Sequence, residues 1–261
     1  MTFRIGASTH IDMVEQYWDR LHILTKLGVQ HIEIYNKKTR IRHADIQPLK
    51  KFQKERNCTL SIHSTAQHLF HAVPVLARAG EATLYEELYL AGEIRATGVV
   101  FHLPPEIQPN EEVIEKLQQF VDYAASRNTN LILENEKKGY SYDNRLNSIL
   151  HSVTNLRLCI DLGHLNIAAK SKSVDESSRY LSSYSARLSE LHINWNDGRS
   201  DDHATISDGG VSLLKKVIDG VKDLLLVVET RSYEEAEQTV NILKSLRDSE
   251  TLDTAAVEKA G

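Results

Sequence analysis

Eight short apolar runs alternate with eight helix-like runs along the 261 residues, and six of the apolar runs close on a side chain that can bind a metal. The six closures are Ser61-Ile62-His63, Val100-Phe101-His102, Ile132-Leu133-Glu134, Cys159-Ile160-Asp161, Glu190-Leu191-His192 and Val227-Val228-Glu229. Imidazoles and carboxyls at the same end of successive strands meet at one point only if the strands run parallel around a common axis. That geometry predicts a metal centre at the mouth of a barrel.

The expected strands are 4–8, 31–36, 60–64, 99–103, 131–135, 158–162, 190–195 and 224–230, each short and rich in branched residues, as strands covered on both faces are. The expected helices are 13–27, 44–56, 81–97, 111–127, 143–153, 175–188, 210–221 and 233–247. Asn110, Gly28 and Ser232 stand where capping chemistry ends or begins three of them. Eight such units suit an α/β fold of the closed (β/α)8 TIM barrel type, a single domain over residues 1–250, because an open sheet would carry a glycine-rich crevice loop. Residues 251–261 read as a flexible C-terminal tail.

Side chains alternate along a strand, so Val100 shares a face with His102, Ile132 with Glu134 and Cys159 with Asp161. If the lower member of each pair fills the barrel, the upper one points into its mouth, where active sites of such barrels lie. Taken singly, each strand-end residue is as readily a helix cap or a loop hydrogen-bonding group. Taken together, six of them without a Lys or Arg among them are not surface decoration, since clustered buried carboxyls call for cations. His164, Asp201 and His203 follow close behind. The metal-binding set is then His63, His102, Glu134, Asp161, His164, His192, Asp201, His203 and Glu229, more than one ion needs and enough for three zinc ions if a carboxylate bridges. Mixed nitrogen and oxygen ligation suits zinc or manganese rather than magnesium.

This set resembles the ligand pattern of the endonuclease IV family, within the xylose-isomerase-like barrel superfamily (the AP endonuclease 2 superfamily), across nearly the whole chain. The segment Leu158-Cys159-Ile160-Asp161-Leu162-Gly163-His164 and the Asp201-x-His203 pair carry most of the likeness. The resemblance implies one zinc on His63, His102 and a bridging Glu134, a second on Glu134, Asp161, His192 and Glu229, and a third on His164, Asp201 and His203. Glu134, Asp161, His192 and Glu229 alone resemble the wider group of sugar isomerases and epimerases, which use one divalent ion. Where the DNA-repair enzymes place an aromatic wedge, this chain reads Ser64-Thr65-Ala66-Gln67, which points away from duplex DNA.

Two reactions follow from the charge. Three divalent ions against four carboxylates and a bridging hydroxide leave a net positive centre that attracts a phosphoester, whose phosphorus the hydroxide would attack in line. A single ion leaves the centre negative and suits a neutral sugar, with Glu134 and Glu229 moving a proton beside a carbonyl. The first reading is a metal-dependent phosphoesterase, the second an isomerase or epimerase, with Glu134 and Glu229 as the catalytic pair in either. Lys37, Arg199 and Arg231 are the expected substrate-binding cations, Lys37 within a basic loop that includes Lys38, Arg40 and Arg42. Tyr140, Tyr142 and Trp195 are stacking candidates that more often pack, and His10, His68 and His71 hold no strand-end position.

The expected partner is a small phosphoester or sugar, with nucleic acid a further class. The net charge of -5 excludes a uniformly basic nucleic-acid-binding surface, and no apolar run is long enough to enter a membrane. Two cysteines, Cys58 and Cys159, fit a reducing, cytoplasmic setting. The sequence sets no oligomeric state.

Overall fold

The computed structural model describes residues 3–11, 17–37, 40–169, 172–218, 221 and 223–258, with backbone alone from 249 onward. Its strands are β1 (Arg4–Ser8), β2 (His31–Tyr35), β3 (Thr59–His63), β4 (Val99–His102), β5 (Leu131–Glu134), β6 (Arg157–Asp161), β7 (Leu188–Ile193) and β8 (Leu225–Val228). Every neighbouring pair is parallel and β8 returns to β1, so the sheet closes into the eight-stranded barrel that the sequence predicts. Closure leaves none of these eight strands as a free edge.

The helices among the described residues are α1 (Tyr17–Lys26), α2 (Ile46–Arg56), α3 (Pro74–Ile94), α4 (Glu111–Ser126), α5 (Asn144–Ser152), α6 (Leu162–Ala169), α7 (Val174–Ser182), α8 (Asp208–Ile218) and α9 (Tyr233–Glu258). Asn110 caps α4 by accepting from Val113 N, Ser232 and Glu235 exchange the two bonds of a capping box at α9, and Gly28 has φ +69°.

The helices depart from expectation most clearly at four places. Helix α3 starts at Pro74 rather than residue 81, because proline at the first turn fixes a helical φ and gives up an N–H that needs no partner there. Helix α6, which the apolar pattern did not reveal, follows β6 directly. Helix α7 stops at Ser182 instead of continuing to 188, and Leu188 already belongs to β7. Helix α9 runs on to Glu258. Residues 13–16, 38, 219–220 and 259–261, which carry parts of the expected helices, basic loop and tail, lie outside the described residues.

The main core lies between barrel and helices, while Val100, Ile132 and Cys159 form a separate small cluster inside the barrel. These are the lower members of the alternating pairs. They sit beneath His102, Glu134 and Asp161 as the two-residue period requires. The barrel interior is otherwise polar at β2, β3 and β7, with His31, Glu33, Ser61 and Glu190 all buried.

Candidate metal centre

Strands β3, β4, β5 and β6 end on His63, His102, Glu134 and Asp161, β7 carries His192 one residue before its end, and Glu229 follows β8. Glu134 lies at the middle. Its Oε2 is 3.1 Å from both His63 Nε2 and His102 Nε2, and its Oε1 is 3.3 Å from His192 Nδ1, which also faces Glu229 Oε2 at 3.1 Å. Among the described residues, His63, His102 and Glu134 form one group with ligand atoms within 4.8 Å of one another, and Glu134, Asp161, His192 and Glu229 form another.

The remaining three expected ligands meet around Asp201. His164 Nε2 lies 3.3 Å from Asp201 Oδ2 and His203 Nε2 lies 3.5 Å from Oδ1, with the two rings 6.5 Å apart. This set is wider than the other two. His164 also faces Glu134 Oε1 at 3.6 Å, which joins the third set to the second.

Hydrogen bonds on the far ring nitrogens fix how three imidazoles present themselves. His164 Nδ1–H donates to Asn135 O at 3.0 Å, His203 Nδ1–H to Glu229 O at 3.1 Å, and His63 Nδ1–H, more weakly, to Ser64 O at 3.4 Å. His102 Nδ1 stands 3.1 Å from Glu136 Oε1. Each therefore turns Nε2 toward a carboxyl of the centre, the arrangement in which a neutral imidazole offers its lone pair to an ion.

Asp161 is held just as firmly, accepting from His164 N and from Asn194 Nδ2, both at 2.6 Å. A Cβ on Gly163 would collide with the Asn194 side chain, so the glycine of the Asp161-Leu162-Gly163-His164 segment is what lets β7 reach that carboxyl.

The electrostatics are those of imidazoles and carboxyls buried together. Burial works to lower the imidazoles, yet Asp161 and Asp201 outweigh it and raise His164 to about 10, while Asp201 and Glu229 raise His203 to about 9. Glu134 and Glu229 fall below the carboxylate range despite burial because His102, His192 and His203 face them. Asp161 instead rises, through burial and the charges of Glu134 and Glu229. Even so, His192 Nδ1 and Asp201 Oδ1 are buried without a hydrogen bond, although they lie close to opposite partners. Converging nitrogens and oxygens that leave each other unsatisfied fit divalent cations, which the donor set as a whole could hold.

Several residues of the site escaped the sequence. Glu33 and Glu190 lie within the barrel beneath His192, whose Nε2 is 3.3 Å from Glu33 Oε2 and 3.9 Å from Glu190 Oε1. Burial, then the charge of Glu33, pushes Glu190 up to about 8. The signal for Glu33 was present in the period-two alternation of β2, whose polar His31, Glu33 and Tyr35 share one face and whose Ile32 and Ile34 share the other. His10, two residues beyond β1, reaches the mouth, with its ring 4.8 Å from that of His203 and its Nδ1 4.0 Å from Glu229 Oε1. Lys137 Nζ lies 3.0 Å from Asp201 Oδ2, bringing a cation to a cluster whose strand ends carry none.

Of the expected substrate-binding cations, Lys37 lines a pocket of about 310 Å³ beside His63 and His102, together with Tyr35, Gln67 and His68. Arg231 donates to Asp201 O at 2.6 Å and so braces the loop of the third set, whereas Arg199 is exposed at the tip of the loop after β7. Arg40 pairs with Glu86 away from the centre, and Lys38 lies outside the described residues. Tyr140 is buried with its hydroxyl on Ile107 O, Tyr142 bonds Ser177, and Trp195 packs against Gly210, so these aromatics brace loops.

No described helix is long and apolar enough to cross a membrane. The chain resembles several solved structures at low identity. It shares 16% identity with a D-tagatose 3-epimerase-like protein at TM-score 0.80, covering 97% of this chain and 100% of that one. With endonuclease IV from Thermus thermophilus it shares 20% at TM-score 0.71, covering 94% and 99%. With a second Thermus thermophilus protein, TTHB071, soaked with ZnCl2, it shares 22% at TM-score 0.72, covering 95% and 99%. No curated protein sequence matches it. The sequence matches the xylose isomerase-like TIM barrel family over residues 21–249, nearly the whole barrel, and the chain belongs to that family.

Proposed function

We propose that the protein is a metal-dependent hydrolase of phosphoester bonds, with zinc as the expected ion, held by His63, His102 and Glu134, by Glu134, Asp161, His192 and Glu229, and by His164, Asp201 and His203. The observation that carries this reading is the third set. His164 and His203 both spend Nδ1–H on backbone carbonyls and turn Nε2 to the two oxygens of Asp201. A one-ion sugar centre needs only Glu134, Asp161, His192 and Glu229, and would leave that arrangement without a use.

Divalent ions bound there would supply Lewis acidity, which makes water nucleophilic near neutral pH and stabilises the oxygen that departs from phosphorus. The chain's own residues do the rest. Glu134 ties the first two sets together with its two oxygens. Lys37 offers an ammonium to an anionic group of the substrate in the pocket beside His63. The size of that pocket suits a small phosphoester.

A second reading, epimerisation or isomerisation of a sugar or sugar phosphate, is favoured by one feature: Glu134 and Glu229 both lie within 3.3 Å of His192 Nδ1, so two carboxyls flank one candidate ion. Side-by-side assays separate the two. Release of inorganic phosphate from phosphomonoesters, or of an alcohol and a phosphomonoester from phosphodiesters, without solvent deuterium entering any ketose, supports hydrolysis. Deuterium incorporation with no hydrolysis of either ester class overturns it.

A further inference from the structure

Four of the five imidazoles at the centre present Nε2, three of them with Nδ1–H on a backbone carbonyl and His102 with Nδ1 3.1 Å from Glu136 Oε1. His192 is reversed. Its Nδ1 faces Glu134 and Glu229, and its Nε2 points down into the barrel at Glu33 Oε2, 3.3 Å away. Both side chains are fully buried, so water does not compete for that nitrogen.

A polar chain runs under Glu33. Thr59 Oγ1 lies 2.8 Å from His31 Nδ1 and 3.5 Å from Gln30 O, His31 Nε2 lies 2.9 Å from Ser61 Oγ, and Ser61 Oγ donates to Glu33 Oε2 at 3.5 Å. With Ser61 donating to Glu33, its oxygen is left to accept an Nε2–H from His31. Burial lowers His31 to about 3, so the ring is neutral near pH 7. Glu33 terminates the chain as the acceptor and has room for one more donor, the Nε2–H of His192.

We infer that Glu33 is a positioning residue for the metal centre: its carboxyl accepts the Nε2–H of His192, fixes that tautomer and ring orientation, and so leaves the Nδ1 lone pair free for the ion shared with Glu134 and Glu229. This rests on the metal-centre reading above. The alternative filling for the barrel interior is visible next door, where Val100, Ile132 and Cys159 pack without any charge. A carboxyl beneath a ligating imidazole raises the basicity of the ligand, and loss of such a partner weakens metal binding by roughly 10- to 100-fold.

The test combines Zn2+ competition against a chelator with long-range 1H–15N NMR of the histidine rings in Zn2+-loaded protein. In the loaded wild type, His192 should carry its proton on Nε2. Glu33→Gln, which keeps an acceptor but loses the charge, should bind one ion about 10-fold more weakly, and Glu33→Ala about 100-fold more weakly, with the other ions unaffected. Glu190→Gln, whose carboxyl stands at 3.9 Å, should change that affinity much less. Wild-type affinity in folded Glu33→Ala, or an Nδ1-protonated His192 in the wild type, overturns the inference. If Glu33→Ala does not fold, the wild-type tautomer and Glu33→Gln still decide. A wild type that takes up no divalent ion refutes the metal centre itself, while an Nε2–H of His192 that exchanges slowly with solvent in that protein and faster in Glu33→Gln still supports the His192–Glu33 pair.

Discussion

His102 and Glu134 meet through a single pair of atoms, Nε2 and Oε2, at 3.1 Å, and the same oxygen is shared at the same distance with His63. With its other oxygen facing His192, Glu134 is common to two of the candidate ligand groups. Glu134→Gln keeps the shape and removes the charge. It should lose at least one ion per chain and about 10³-fold in kcat/KM, because both the bridging ligand and the charge balance go. Metal analysis and phosphate release on the same sample check this; retention of both would remove Glu134 from its bridging role.

Lys137 stands on Asp201 at 3.0 Å, in the place where a third cation would draw its carboxylate ligand. The ammonium must yield before an ion can use that oxygen, and the pair is partly exposed, so its hold is modest, about 1 kcal/mol. Lys137→Met should therefore tighten the weakest ion about fivefold and leave the others unchanged. Stepwise Zn2+ titration of metal-free protein reads this directly. Weaker binding in the variant would show that Lys137 supports the third set instead of competing with it.

Glu87, buried on α3, gathers the loops after β2 and β3: Asn36 Nδ2 donates to it at 2.7 Å, Thr65 N and Oγ1 both at 2.9 Å, and Ser64 Oγ bonds its other oxygen. These loops form one wall of the pocket beside His63. Glu87→Ala leaves several buried donors unpaired and should cost about 3 kcal/mol in urea unfolding. Because the wall loosens while the metal ligands stay, KM should rise more than kcat falls. Equal loss in kcat with unchanged KM would argue against a substrate pocket on that side.

Much of this centre could be read from the chain because it depends on strand ends, and a strand end is visible where an apolar run stops. The alternation Val100/His102, Ile132/Glu134 and Cys159/Asp161 translates directly into the interior cluster and the candidate ligands above it. Glu33 and Glu190 were missed because they lie inside strands, where a buried carboxyl is costly and an apolar filler is the simpler expectation. His10 and Lys137 lie on loops, whose path is set by packing at a distance and leaves no periodic trace. The early start of α3 was marked by Pro74 all the same.

His31 gives the acid limb of stability a specific sign. Its folded pKa, about 3, lies below the ordinary 6.5, first because the ring is buried and then because Arg4 and His192 add positive charge. The contribution is complete above pH 6.5 and is lost as pH falls toward 3, where the unfolded ring takes up a proton that the folded one refuses. Over that window it amounts to roughly 5 kcal/mol. His31→Gln should lower stability at pH 7 and flatten this limb. Parallel urea curves at about pH 7, 5 and 4 test it, and an unchanged slope would mean that the ring is protonated in the fold.

The most direct measurement is the number of divalent ions per chain in protein purified without chelator, by elemental analysis against amino-acid concentration. About three ions per chain, falling to about two in Asp201→Ala, is the expected result for a centre built to act on phosphoesters. About one ion, unchanged by Asp201→Ala, would contradict it and leave Glu134, Asp161, His192 and Glu229 as a one-metal sugar site.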